Sequence, residues 1–305
     1  MKILYLAKEP DQGVKSDLAE LSQLGEVTVV ACNPGYVDFY KKIGYNVISK
    51  GVFFDELDMK FDYIIGNPPY QSVAENKEGG LRGSKKNLYS SFIKKGIELL
   101  VDGGTLNLIC PPGYLKTTSL DEEYELFSLM KKYNLVSVNF DCKKYFPSVG
   151  LPVITNFVLK KDTNYQGTRF ITSSTDEIID ISSMKYIPIN CSKEVLNRLN
   201  EVLSDTPNYS FKRDDFYKKV NSYKNYVAIS QIGSGPLDVY VNEIPVNKKG
   251  KRKPIHVMKC DSLSHAEEVY VAMTSDEATY LNSTLRYGDA NVYPNIINYL
   301  KKDNA

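Results

Sequence analysis

Phe61-Asp62-Tyr63-Ile64-Ile65-Gly66-Asn67-Pro68-Pro69-Tyr70 is an apolar run that ends abruptly in Asn, two prolines and Tyr. Tyr63 to Ile65 has the continuous apolar character of a strand buried in a parallel sheet. The two prolines fix their own φ near about −65° and push the residue before them out of the helical region, so Asn67 is held extended where the strand ends. Neither proline has an N–H, which leaves carbonyl oxygens there as acceptors. An extended Asn beside a proline carbonyl presents two oxygens side by side, an arrangement suited to a planar group with two N–H donors, such as the exocyclic amine of adenine or cytosine. Tyr70 adds a flat face on which a ring can stack. Asn and Pro are also ordinary turn residues. Position raises the motif above a plain turn, because ligands in open α/β sheets sit at the carboxyl ends of strands.

Outward from this stretch, strand-like runs at 3–7, 27–31, 46–49, 106–110, 136–140 and 154–159 alternate with helical segments at 14–24, 37–43, 89–100 and 122–133. That alternation predicts an α/β fold with a doubly wound, mostly parallel sheet, its last two strands forming an antiparallel hairpin at the edge. The segment 75–86, rich in Gly, Lys and Glu, has no apolar periodicity and is long for a strand-to-helix connection, so it reads as either a functional loop or a disordered one. From about Asp162 the chain turns to Ser, Thr, Asn, Tyr and Lys in short mixed segments. The expected organisation is therefore a first domain at 1–161 and a smaller mixed α+β domain at 162–305. In the second, helices are expected at 193–203 and 276–287, and strands at 226–230, 239–241 and 257–260.

With 305 residues, 42% of them apolar and 25% charged, the chain can fill one large or two modest cores, which excludes a fibrous or globally disordered protein. Its five cysteines have no paired short spacing, so neither a zinc site nor a disulfide framework is signalled, and buried free thiols are expected. Met1 leads into too short an apolar stretch for a signal peptide, and no later run approaches a membrane span, so the expectation is a soluble cytoplasmic protein. The net charge of +1 is modest for a nucleic-acid binder, which places any such binding on local clusters of Lys and Arg. Two stand out. Arg82, Lys85 and Lys86 close the long loop, and Lys248, Lys249, Lys251, Arg252 and Lys253 form the densest positive run. The second cluster reads either as a solvated hairpin tip or as a phosphate contact, with Tyr223, Tyr226, Tyr240, Gly233 and Gly235 nearby in sequence.

Asn67 to Tyr70 match at every position the (D/N/S)-P-P-(Y/F) motif of the amino-methyltransferases, which transfer a methyl group from S-adenosyl-L-methionine to adenine N6 or cytosine N4 in DNA. The chain resembles the adenine-specific, restriction-modification members in particular. Asn87 to Ile93 followed by Gly96 to Leu100 is similar to their helix after the motif, Gly103 to Pro111 to their next strand, and Phe146-Pro147 through Asn156 to Leu159 to their final hairpin. The resemblance covers about the first 160 residues. It implies a class I methyltransferase-like sheet, S-adenosyl-L-methionine as cofactor, double-stranded DNA as partner, and a C-terminal target-recognition domain. A restriction or partner subunit is a further implied partner, and the segment 75–86 is implied to be a mobile substrate loop that closes over the target base.

It also implies a chemistry. The nucleobase amine donates its hydrogens to the Asn67 side-chain oxygen and the Pro68 carbonyl, its nitrogen lone pair is freed, and positioning with electrostatic stabilisation replaces acid–base catalysis. Pro69 stiffens the turn, and Tyr70 stacks on a base flipped out of the duplex. Asp62 precedes the strand core and is expected at the opposite edge of the sheet in a structural role.

The cofactor side departs from the family. In place of a glycine-rich first turn the chain has Leu4 to Gly13, of which only Gly13 fits. Cys32-Asn33-Pro34 stands where an acid normally meets the ribose, and Ser49-Lys50-Gly51 where an Asp meets the adenine ring. The first strand opens at Met1, so the N-terminal segment that helps hold methionine is expected to be absent. Ala7, Glu9, Asp11, Gly13 and Asn33 are the candidate cofactor contacts. Three readings stay open: substitutes such as Glu9, Asp11 and Asn33 bind the cofactor, a partner completes the pocket, or the site is vestigial. An inactive DNA- or protein-binding module and an RNA or protein-glutamine methyltransferase are the alternative functions.

Overall fold

A computed structural model describes residues 1–7, 12–70, 88–116, 124–147, 149–151, 153–214, 217–231, 236–246, 250, 253–287 and 292–302. Its contacts divide the chain into two units, one formed by Met1–Tyr114 with Glu125–Ser183 and the other by Leu115–Tyr124 with Met184–Ala305.

The first unit is built in chain order from β1 (Lys2–Ala7), α1 (Gln12–Leu24), β2 (Glu26–Ala31), α2 (Val37–Lys42), β3 (Asn46–Ser49), α3 (Lys50–Asp55), β4 (Phe61–Gly66), α4 (Leu88–Leu99), β5 (Leu100–Cys110), α5 (Glu125–Lys131), β6 (Asn134–Asn139), β7 (Thr155–Lys160), β8 (Thr168–Ile171) and β9 (Asp176–Ile179). The strands join in one sheet ordered β3-β2-β1-β4-β5-β7-β6-β8-β9. β3, β2, β1, β4 and β5 run parallel, as the alternation of strands and helices predicts.

Each central strand alternates two apolar faces. Ile3, Tyr5, Val27 and Val29 pack with Leu18 and Leu21 of α1, which recur at helical spacing on one side of that helix. On the opposite face Phe53 of α3 stacks on Phe92 of α4 at 5.3 Å. Gly96 lets α4 approach the sheet closely, since a Cβ there would come within 2.9 Å of the Leu106 side chain. Asp62 accepts a hydrogen bond from the Lys2 N–H at 2.6 Å, at the end of β4 remote from Asn67.

Two expectations are corrected. β7 is antiparallel to β6 as foreseen, but it inserts between β5 and β6 and pairs with both, so the hairpin is not the edge. β8 then pairs parallel with β6, and β9 antiparallel with β8. These two short strands extend the sheet, which is why the first unit reaches Ser183 and not the expected boundary at 161.

The second unit contains α6 (Lys193–Val202), β10 (Lys212–Asp214), β11 (Asn225–Ser230), β12 (Val239–Val241), β13 (Ile255–Cys260), α7 (Leu263–Met273), α8 (Asp276–Thr284) and α9 (Pro294–Ile297). Its four strands form an antiparallel sheet in the order β10-β13-β11-β12. Ser192, Ser262 and Ser275 each cap a helix by accepting from a backbone N–H in its first turn. β10, α7 and α9 were not foreseen. The five cysteines are buried free thiols. No helix among the described residues is long and apolar enough to cross a membrane.

Candidate active site

Gly66 is the last residue of β4 and faces Leu6 in the parallel register with β1. Its φ is +150°, and a Cβ there would fall 2.4 Å from the Leu6 carbonyl oxygen. Only glycine accommodates that approach. The two strands therefore close tightly, and the next N–H, that of Asn67, donates to the same Leu6 oxygen at 3.3 Å. This bond holds Asn67 at the carboxyl rim of the sheet. Pro68 is buried, and Asn67, Pro69 and Tyr70 are half-buried. The Tyr70 carbonyl then accepts from Leu88 N–H at 3.0 Å, so the chain re-enters α4 beside the point where it left the motif.

Asn67 Oδ1 and the Tyr70 hydroxyl are both buried, and among the described residues each is engaged only by the other. A carbonyl oxygen can accept two hydrogen bonds, so Asn67 Oδ1 keeps acceptor capacity at the strand end. Burial pushes the Tyr70 phenol above its ordinary range; the buried Cys110 thiol adds to the rise and the Asn67 side chain opposes it.

Asn67 borders a cleft of about 370 Å³, a size suited to a small-molecule ligand. Its floor is the face of β4, β5, β6 and β7, and it is unexpectedly rich in amides. Asn107, Asn139 and Asn156 all line it. Asn156 Nδ2 donates to Asn107 Oδ1 at 2.7 Å and to the Leu108 carbonyl at 3.2 Å, while Asn107 Nδ2 donates to Tyr63 Oη at 2.9 Å. Asn139 Oδ1 accepts from Asp141 N–H at 2.8 Å and shapes the turn after β6. Sequence reasoning missed these three residues. The signal was present for Asn107 and Asn156, each a lone amide in an otherwise mostly apolar strand, and weaker for Asn139, which ends β6.

Along one wall, Tyr5 Oη donates to Asp17 Oδ2 at 2.8 Å. The other side is formed by Cys142, Tyr145 and Phe146. The Lys143 ammonium donates to the carbonyls of Phe146, at 3.2 Å, and Val149, which folds this segment back on itself.

The expected cofactor contacts are distributed differently. Ala7 is buried at the end of β1, and its carbonyl accepts from Cys32 N–H at 3.0 Å. Gly13 lies in the first turn of α1. Asn33 Oδ1 is engaged in capping, accepting from Gly35 N–H at 3.1 Å, and Ser49 Oγ caps α3 from Val52 N–H. Burial pushes the Cys32 thiol up to about 12, against the opposing charge of Lys50. Glu9 and Asp11 lie outside the described residues, as do Arg82, Lys85 and Lys86 with the rest of the expected substrate loop. Lys248, Lys249, Lys251, Arg252, Gly233 and Gly235 are outside them too. Lys253 is described: its ammonium approaches Asp238 at 3.4 Å, and its carbonyl accepts from the Tyr217 hydroxyl.

Residues 18–146 match the model of the Eco57I restriction-modification methylase family, which bears out the resemblance carried by Asn67 to Tyr70. A Mycoplasma pneumoniae protein described as an uncharacterized adenine-specific methylase is 29% identical over 170 residues, 54% of this chain and 37% of that protein. The Type II methyltransferase M.TthHB8I of Thermus thermophilus is 34% identical over 89 residues, 24% of this chain and 19% of that protein. The chain thus spans well under half the length of these curated relatives. Among solved structures, TrmN from Thermus thermophilus superposes with a TM-score of 0.34 at 16% identity, covering 53% of this chain and 44% of that one.

Proposed function

We propose that this chain is a restriction-modification methyltransferase that transfers a methyl group from S-adenosyl-L-methionine to N6 of adenine in double-stranded DNA. The observation that carries the reading is Asn67 Oδ1, buried at the rim of a cleft on the carboxyl side of β4 and engaged only by the Tyr70 hydroxyl. An amine that donates one hydrogen to this oxygen and the other to the Pro68 carbonyl is drawn toward a tetrahedral nitrogen. The rigid Pro68-Pro69 pair keeps both acceptors in place before the base arrives, so positioning supplies much of the rate enhancement. Tyr70, next to the cleft in sequence but not among the residues that line it, is the stacking surface of this reading, and Phe146 is an aromatic ring in the cleft lining itself.

The donor set fits the cofactor at its reacting end: a cleft beside Asn67 that holds one carboxylate, several amides and aromatic rings. When bound, S-adenosyl-L-methionine supplies an electrophilic methyl group on a sulfonium. The first unit carries this chemistry, and the second, through the Lys248 to Lys253 cluster, recognises the DNA target; Tyr226 is buried in the core of that unit and Tyr223 and Tyr240 pack against it, so these rings are structural and not the expected reading surface.

Incubation of the protein with labelled S-adenosyl-L-methionine and mixed-sequence duplex DNA, followed by nucleoside mass spectrometry, tests the proposal. N6-methyladenine that disappears in Asn67→Ala is expected. Transfer to no base, or transfer indifferent to Asn67, overturns it.

One observation favours a second reading, a binding module without chemistry. Asn33 and Ser49, the polar side chains at the ends of β2 and β3, are already committed to capping. Micromolar cofactor binding by calorimetry defeats that reading.

A further inference from the structure

We infer that Asp17, oriented by Tyr5, is the residue that receives the cationic ammonium end of the cofactor. The inference rests on the proposed function and extends it to a residue on α1 that lies outside the sequence motifs.

The argument starts from the chemistry of the ligand. In S-adenosylmethionine the sulfonium and the ammonium are joined by a short alkyl chain. A sulfonium placed to reach an amine held at Asn67 therefore brings its ammonium into the same cleft. An ammonium removed from water needs an anion or several acceptors to replace its hydration. Among the described residues lining the cleft, Asp17 is the one carboxylate.

Asp17 is not placed by accident of a flexible surface. It precedes Leu18, which is buried against the β1–β2 face and fixes the rotation of α1 about its axis. Tyr5, itself buried in β1, donates its hydroxyl to Asp17 Oδ2 at 2.8 Å. This bond fixes the carboxylate over the cleft wall and occupies one oxygen, while a carboxylate retains further acceptor capacity for an ammonium. The neighbouring amides Asn107, Asn139 and Asn156 are engaged with one another or with backbone, so they compete little for the same role.

Calorimetric titration separates the possibilities with two probes: S-adenosylhomocysteine, which has the amino-acid end, and methylthioadenosine, which lacks it. Asp17→Asn should weaken S-adenosylhomocysteine binding about tenfold or more and leave methylthioadenosine within about twofold, the difference expected for losing a charge-assisted bond. Tyr5→Phe should show the same selective pattern in smaller measure. Because Asp17 is exposed, an unchanged melting temperature verifies that the variant is folded. If Asp17→Asn binds both probes as the parent does, or loses both equally, the inference is overturned while the proposed function stands. If the parent chain binds neither probe, both fall together.

Discussion

Asn156 Nδ2 donates to Asn107 Oδ1 at 2.7 Å, tying β7 to β5 across the floor of the cleft. The pair sits among apolar strand residues and extends through Asn107 Nδ2 to the Tyr63 hydroxyl. Both amides are half-buried and line the cleft, so removing one partner leaves partly shielded polar atoms unpaired. Asn156→Leu should therefore destabilise the protein by about 1–3 kcal/mol in urea denaturation, and the Asn107→Leu/Asn156→Leu double variant by less than the sum of the singles.

Gly66→Ala sets a methyl group against the Leu6 carbonyl oxygen at a backbone angle that side chains rarely adopt. A loss of about 2 kcal/mol or more is expected, read as a lower melting temperature. Because Asn67 follows directly and bonds to Leu6, cofactor-dependent transfer should fall further than stability alone explains.

Asn67→Ala should separate function from folding. Its Oδ1 is engaged only by the Tyr70 hydroxyl, so deletion should change stability by about 1 kcal/mol or less. Methyl transfer should drop by a factor on the order of a hundred or more in single-turnover assays.

The buried thiols predict the response to alkali. Cys32 rises from an ordinary 9.0 to about 12 because burial disfavours the thiolate. A group whose folded value is raised contributes stability that is complete below its unfolded value and is lost as pH climbs from there toward the folded value. Stability should thus be flat through neutral pH and decline above about pH 9, with Cys32 contributing about 1.4 kcal/mol per pH unit in that window. Urea titrations at neutral and alkaline pH, compared with Cys32→Ala, measure the slope that this thiol causes.

The parallel half of the sheet was legible because each strand there is a continuous apolar run followed by a helical stripe, as in Ile3 to Ala7 and Leu18 to Leu21. The place of β7 was not, since sequence order says nothing about which neighbour an antiparallel return chooses. β8 and β9 were missed for a related reason: Thr168-Arg169-Phe170-Ile171 and Asp176 to Ile179 are short, and one exposed face carries Arg169 and Asp176, paired at 2.6 Å. In the site, Asn67 to Tyr70 could be read from local backbone chemistry alone. Asn107, Asn156 and Asp17 converge on it from three separate elements, and only the register between strands and the rotation of α1 bring them together.

The bond between Tyr70 carbonyl and Leu88 N–H has a corollary for chain length. It pins both ends of an excursion to one spot, so the entropy of closing that excursion grows only slowly as residues are added. A change in the number of residues between these two anchors should therefore cost little stability and leave Asn67 in place.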